Sequence, residues 1–185
     1  MTKLCALAIV AVATVHTMAA GLTFTTPNGW KPSPTTSSMR VAQFTLPRAA
    51  GDAQDAELVV YYFGGSGGTI DANIERWLGQ MQQPSGRPSS AAATRAKRTV
   101  NGLSVTLVDV SGTYVAEVTP GSPERHNSPN FRLRAAVIET ANGPYFIKLT
   151  GPATTVAGHE KAFDQFIASL KYQPASPKRE REGGP

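Results

Sequence analysis

The chain has 185 residues, 41% hydrophobic and 17% charged, with a formal net charge of +5. That composition suits one globular domain and excludes a disordered chain or one that spans a membrane throughout. The only cysteine is Cys5, so residues 22–185 can form no disulfide, thiolate nucleophile or cysteine metal site.

Residues 1–21 read as a secretory signal: Lys3 is a short positive region, Leu4 to Val15 an apolar run, and Thr17 to Gly21 a small-residue cleavage zone. The apolar run falls short of the roughly 20 residues that a membrane-spanning helix needs. Leu4, directly before Cys5, is not the small residue that lipid attachment requires. The expected product is an exported soluble protein, periplasmic or extracellular, whose membrane contact would come only through an uncleaved N-terminus. Cleavage removes Lys3 and lowers the net charge to +4 (5 − 1).

Leu22 and Phe24 alternate in a short strand that ends at Pro27 and an Asn28-Gly29 turn. Ala42, Phe44 and Leu46 alternate in a second strand that stops at Pro47. Ala56 to Phe63 is almost wholly apolar, which predicts a central strand covered on both faces. Ile70, Ile74, Trp77, Leu78 and Met81 form a helical stripe, with Asp71 and Glu75 near its positive N-terminal end. Residues 83–93 read as a flexible connector. Two strand pairs follow, joined at Asn101-Gly102 and Asn142-Gly143, dipeptides that tolerate the positive φ of tight hairpins. Ala116 to Asn130 is rich in proline and serine and reads as a long loop. A final helix is predicted from Thr154 or Thr155, as its cap, to Lys171, burying Val156, Phe163, Phe166, Ile167 and Leu170. The tail, residues 173–185, mixes charges and ends in glycine and proline, so it is expected to be disordered.

Three strands, a helix, four strands and a helix make an α+β order: a mainly antiparallel sheet of six to seven strands with a helix on each face. That order, the opening Phe24-Thr25-Thr26-Pro27-Asn28-Gly29-Trp30, and a strand ending in Gly151-Pro152 before a phenylalanine-bearing helix that closes Ser169-Leu170-Lys171 resemble the PsbP-like fold. Photosystem oxygen-evolving subunits, Ran-binding Mog proteins and many secreted bacterial proteins share that fold. The resemblance covers residues 22–172 and implies a non-enzymatic binding or assembly-assisting domain, acting on an unidentified protein or small ligand. It brings no catalytic motif.

The most suggestive local pattern is Gly64-Gly65-Ser66-Gly67-Gly68, a Gly-x-Ser-x-Gly arrangement like a nucleophile elbow. A small serine hydrolase using Ser66 and His159 is therefore the competing reading. It is disfavoured because hairpins replace the parallel crossovers and the helical stripe starts four residues after Ser66. The backbone amides of Gly67, Gly68 and Thr69 could instead cradle an anion. A ligand site is expected where Trp30, this glycine loop and the 116–130 loop converge. Asp109, between Val108 and Val110, reads as a structural ion-pair partner of Arg95, Arg98 or Arg132. His126 and His159 have no second histidine at ligand spacing, so no metal and no cofactor is expected. Arg87, Arg95, Lys97 and Arg98 form a basic stretch without interleaved aromatics, hence a solvated strand face and no nucleic acid. A monomer is expected.

Overall fold

A computed structural model describes residues 16–19, 21–35 and 37–174. Most of the predicted signal segment and of the tail lies outside the described residues. Strands β1 (His16–Ala19) and β2 (Leu22–Thr25) pair antiparallel around Gly21, at φ 99°. Four residues assigned to the signal segment thus form a strand paired beside β2, and cleavage at residue 21 would remove them. The short C-terminal strand β11 (Lys171–Tyr172) pairs with the other edge of β2.

The main sheet has eight strands rather than six to seven. Two short strands account for the excess: β3 (Lys31–Pro32), beside β4 (Arg40–Leu46), and β6 (Met81–Gln82), which extends the edge at β8 (Leu103–Tyr114). Between these edges lie β5 (Ala56–Tyr62), β10 (Tyr145–Pro152) and β9 (Ser128–Ile138), and β7 (Thr94–Val100) hangs on β8. Every pairing is antiparallel. The β7–β8 hairpin turns at Asn101 and Gly102, both at positive φ (48° and 81°), as a two-residue turn matched to strand twist requires.

The two faces are covered as the α+β order predicts. Phe44, Leu46, Leu58, Val60, Ile147 and Leu149 bury one face beneath Phe163, Phe166 and Ile167 of α3 (Glu160–Ala168). Leu22, Phe24 and Trp30 belong to the same core. On the other face, Val108, Val110, Leu133, Val137 and Phe146 pack beneath Ile74, Trp77 and Leu78 of α1 (Ile70–Leu78). Helix α1 stops at Gly79, before Met81, which belongs to β6.

The final helix is two helices, not one: α2 (Ala153–Gly158) and α3 meet at His159, whose φ of −99° and ψ of 5° leave helical geometry. Neither Thr154 nor Thr155 caps α2. Instead Asp52, in the β4–β5 loop, accepts hydrogen bonds from the Thr155 amide and hydroxyl, which places a carboxylate at the helix's positive end. The capping partner is about a hundred residues away in sequence, beyond any local pattern. Among the described residues no helix is long and apolar enough to cross a membrane.

Candidate functional site

Strand β10 positions the most unusual side chain in the molecule. Alternation sends Tyr145, Ile147 and Leu149 toward α3 and Phe146, Lys148 and Thr150 toward the α1 face. Helix α1 covers the part of that face built by β8 and β9, and the part over β5 stays open. The uncovered part is a cleft of about 760 Å³ with Val59, Tyr61, Phe131, Lys148 and Thr150 on its floor. Its rim includes Arg40, Arg76, Gln80, Tyr114, Arg125 and His126.

Lys148 is held inside this cleft. Its Nζ donates to Gln80 Oε1 at 2.5 Å and to Tyr114 Oη at 3.2 Å, and it lies 5.1 Å from the centre of the Tyr114 ring. Burial away from water pulls the Lys148 ammonium from its ordinary 10.5 down to about 8; Glu57 opposes this, while Arg76 and Arg40 act with it. Burial pushes the Tyr114 phenol up to about 12, with Tyr61 and Glu57 adding to the shift and Arg40 opposing it. Tyr61 is raised for the same first reason, burial. The cleft therefore presents neutral hydroxyls beside an amine that loses its proton easily.

Its charges are unevenly compensated. Arg40 lies 3.7 Å from Glu57 and donates to Gln43, whereas Arg76 donates to the neutral amide oxygen of Asn73 at 2.6 Å and has no carboxylate partner among the described residues. The Thr150 hydroxyl is buried with no hydrogen-bond partner among them. A second cavity of about 150 Å³ adjoins the first, sharing Tyr61, Arg76, Gln80 and Lys148 and adding Phe63, Trp77 and Phe146. Asp55, Glu57 and Glu117 share the lining with these cations, and Arg76, which lacks a carboxylate partner among the described residues, together with Lys148 and the aromatic recess suits an anionic ligand with a planar apolar body.

One of the three expected contributors is here. The 116–130 segment is not an irregular loop: the Glu117–Arg125 bridge and the His126 N–H to Ala116 carbonyl bond fold it back as an arm that brings Glu117, Arg125 and His126 to the cleft. Trp30 belongs to the opposite face, buried against Phe44, Phe166 and His159. The expected convergence with the glycine loop therefore does not occur. Gly67 is packed so closely that a Cβ there would lie 2.6 Å from the Phe63 ring. Thr69 caps α1 by accepting from the Ala72 amide, Asn73 ties down the Gly67 and Thr69 carbonyls, and Asp71 already supplies negative charge to that helix end. Gly67, Gly68 and Thr69 thus have a structural task in starting α1.

Ser66 and His159 are separated by the sheet. The Ser66 hydroxyl donates to the Phe63 carbonyl at 2.7 Å, on the α1 side, and His159 Nε2 is 2.9 Å from the Pro47 carbonyl, on the α3 side. They form no nucleophile–base pair. Asp109 has the expected structural role with one of its three expected partners: Arg132 binds it through two nitrogens, at 2.6 and 2.8 Å, and Arg134 joins at 3.0 Å. Both arginines also reach Glu160 of α3. Arg95 instead pairs with Glu75 and Asp71 of α1, and the rest of the basic stretch is solvated. Among the described residues no group of three or more His, Cys, Asp or Glu could hold a metal.

Sequence reasoning did not single out Lys148. The available signal was a lone charge inside Tyr145-Phe146-Ile147-Lys148-Leu149, in a strand with apolar neighbours on both sides.

No protein-family model matches the chain. No curated protein matches it either. The chain is similar to several solved structures, among them the following two. The first is PA94 of Pseudomonas aeruginosa, described as a protein of unknown function and a candidate regulator, with TM-score 0.50 and 16% identity over 88% of this chain and 99% of that one. The second is the cyanobacterial PsbP of Synechocystis, with TM-score 0.51 and 12% identity over 92% of this chain and 99% of that one. At these identities the likeness concerns architecture alone, and on that ground, with the antiparallel sheet and its covering helices, the chain has the PsbP-like fold.

Proposed function

We propose that this is an exported, monomeric, non-enzymatic binding domain whose binding surface is the open cleft around Lys148. The carrying observation is the uncovered half of the α1 face, about 760 Å³ with a half-buried lysine in its floor and an unneutralised arginine at its rim. A sheet that needed only stability would cover that floor with apolar side chains, because burying a charge without a fixed counter-ion is costly. Lack of a nucleophile–base pair at Ser66 and His159 supports binding over hydrolysis. The ligand is a small anionic molecule, or an acidic segment of a partner protein whose assembly it assists.

Recovery of bound material tests this reading. The protein is purified from the medium or periplasm of its own cell beside Arg76→Glu/Arg125→Glu, with circular dichroism confirming that both are folded. Mass spectrometry is expected to find an acidic compound or acidic protein with the wild type and lose it with the variant. Equal recovery from both would remove the cleft from consideration. Fluorophosphonate labelling of Ser66, lost in His159→Ala, would replace the binding reading with the hydrolase. N-terminal sequencing of the exported protein checks export itself, with processing expected within residues 17–22.

A further inference from the structure

Lys148 stands where the two cavities meet. The 760 Å³ cleft and the 150 Å³ recess share it together with Arg76, Tyr61 and Gln80. A ligand whose planar body rests against the aromatic wall of the recess and whose acidic group meets Arg76 lies beside Lys148, which lines both cavities. We propose that Lys148 is a capture site for planar carbonyl compounds carrying an acidic group, aromatic aldehydes above all, holding them as a reversible imine. This deepens the binding reading and rests on it.

The neighbours of Nζ fit each part of the condensation. The amine first gives up a proton, which its buried position favours. The lone pair on Nζ attacks the carbonyl carbon, a C–N bond forms, the carbonyl π pair moves to oxygen, and one of the two amine protons passes from nitrogen to that oxygen to give a carbinolamine. The C–O bond then breaks as the hydroxyl leaves with a proton as water, the nitrogen lone pair forms C=N, and the nitrogen releases its last proton to replace the one taken by the hydroxyl. Amine and aldehyde thus give imine and water, with no oxidant or reductant consumed. Tyr114 Oη, 3.2 Å from Nζ and held in its protonated form, is placed to pass the proton to the departing hydroxyl. Gln80 Oε1 keeps the amine pointed into the cleft before reaction. Arg76, with only a neutral partner, supplies the charge that selects an acidic compound over a neutral aldehyde.

Lys31, Lys97, Lys161 and Lys171 are all exposed and serve as controls within the same molecule. The full chain is titrated with pyridoxal 5′-phosphate, an aromatic aldehyde with a phosphate, followed by visible imine absorbance, borohydride trapping and peptide mass mapping. Pyridoxine 5′-phosphate, which has the same ring and phosphate but an alcohol in place of the aldehyde, is titrated in parallel by calorimetry. Lys148 is expected to be labelled at a probe concentration at least about tenfold below that needed for the four exposed lysines. Lys148→Arg should remove the saturable phase, and Arg76→Gln should raise its half-saturating concentration several-fold with the far-UV spectrum unchanged. If the alcohol binds and Lys148 is labelled no more readily than the exposed lysines, the imine proposal falls and the anion-binding reading stands. If Lys148 is not preferentially labelled and the alcohol does not bind, the imine proposal falls together with the small-anion form of the binding reading.

Discussion

Replacing Lys148 with methionine removes the charge and keeps an unbranched side chain of similar length. In the folded protein burial lowers the ammonium from 10.5 to about 8. At 1.36 kcal/mol for each tenfold change, carrying that charge costs the folded state about 3 kcal/mol. The sign follows from proton counting: between pH 8 and 10.5 the unfolded chain holds the proton that the folded chain has released, so wild-type stability rises with pH. About 2 kcal/mol of the cost is recovered between pH 7 and 10. Tyr61, Tyr114 and Tyr145 act in the opposite sense above pH 10, where the folded state keeps phenol protons that the unfolded state loses. Both proteins share those tyrosines, so the difference between them isolates the lysine. Urea denaturation at pH 7, 8, 9 and 10 is expected to show Lys148→Met more stable by about 1–3 kcal/mol at pH 7, because the bonds to Gln80 and Tyr114 are lost along with the charge. That lead should shrink by about 2 kcal/mol at pH 10. A gap independent of pH would show that Lys148 is solvated as an ordinary surface lysine and not held away from water in the cleft.

Three further changes test the framework around the site. Trp77, buried under α1 against Phe146, should cost about 3–5 kcal/mol on truncation to alanine; a loss below about 1 kcal/mol would mean that α1 does not pack in this register. Asp109→Asn leaves Arg132 and Arg134 with only the more exposed Glu160 as a shared acid, and a thermal or urea melt should show a loss of about 2 kcal/mol, below the fully buried value because all three side chains keep 11–22% of their exposure and Glu160 remains. A loss under about 0.5 kcal/mol would demote the cluster to surface decoration. Asn101 combines a φ of 48° with a side-chain amide that donates to the Ala168 and Leu170 carbonyls at the end of α3. Asn101→Gly should cost about 1 kcal/mol for those bonds, and Asn101→Ala more, since alanine also strains the turn; equal losses by urea melt would separate the turn from the helix end.

What local chemistry dictates was readable in advance. The 3.6-residue stripe of α1, the alternation of β4 and the tight Asn101-Gly102 turn each follow from residues within a few positions of one another, whereas Asn142-Gly143 lies in a six-residue connection between β9 and β10 in which only Gly143 takes positive φ; the element order that they compose led to the fold. Strands of two residues, such as β3, β6 and β11, carry no period at all and form because a longer neighbour offers its edge. The break at His159 was hidden for a related reason: its side chain reaches the Pro47 carbonyl and Asp52 caps α2, both contacts over more than a hundred residues, while the helical apolar spacing runs through unbroken. Trp30 and the glycine loop were placed together by their conspicuous composition, and the sheet between them keeps them apart.

Lys148 shows why the site was harder to read than the fold. In sequence it is one cation among 18 lysines and arginines, in a strand whose neighbours announce a core. Its importance arises from what the tertiary structure omits, because α1 ends at Leu78 and leaves the floor beside β5 without a cover. Had the helix reached further, the same lysine would need a carboxylate or be lost to a hydrophobe, since an unpaired charge in a dry core is not tolerated. Left at the wall of an open cleft, it keeps enough water to remain soluble in its surroundings and too little to hold its proton as a surface amine does. Arg76 strengthens both effects at once, lowering the proton affinity of Lys148 and adding attraction for an anion. A bound acidic group would reverse the first effect while satisfying the second. Ligand binding and protonation of Lys148 are therefore linked, and an anion that binds noncovalently should raise the pH at which this amine titrates.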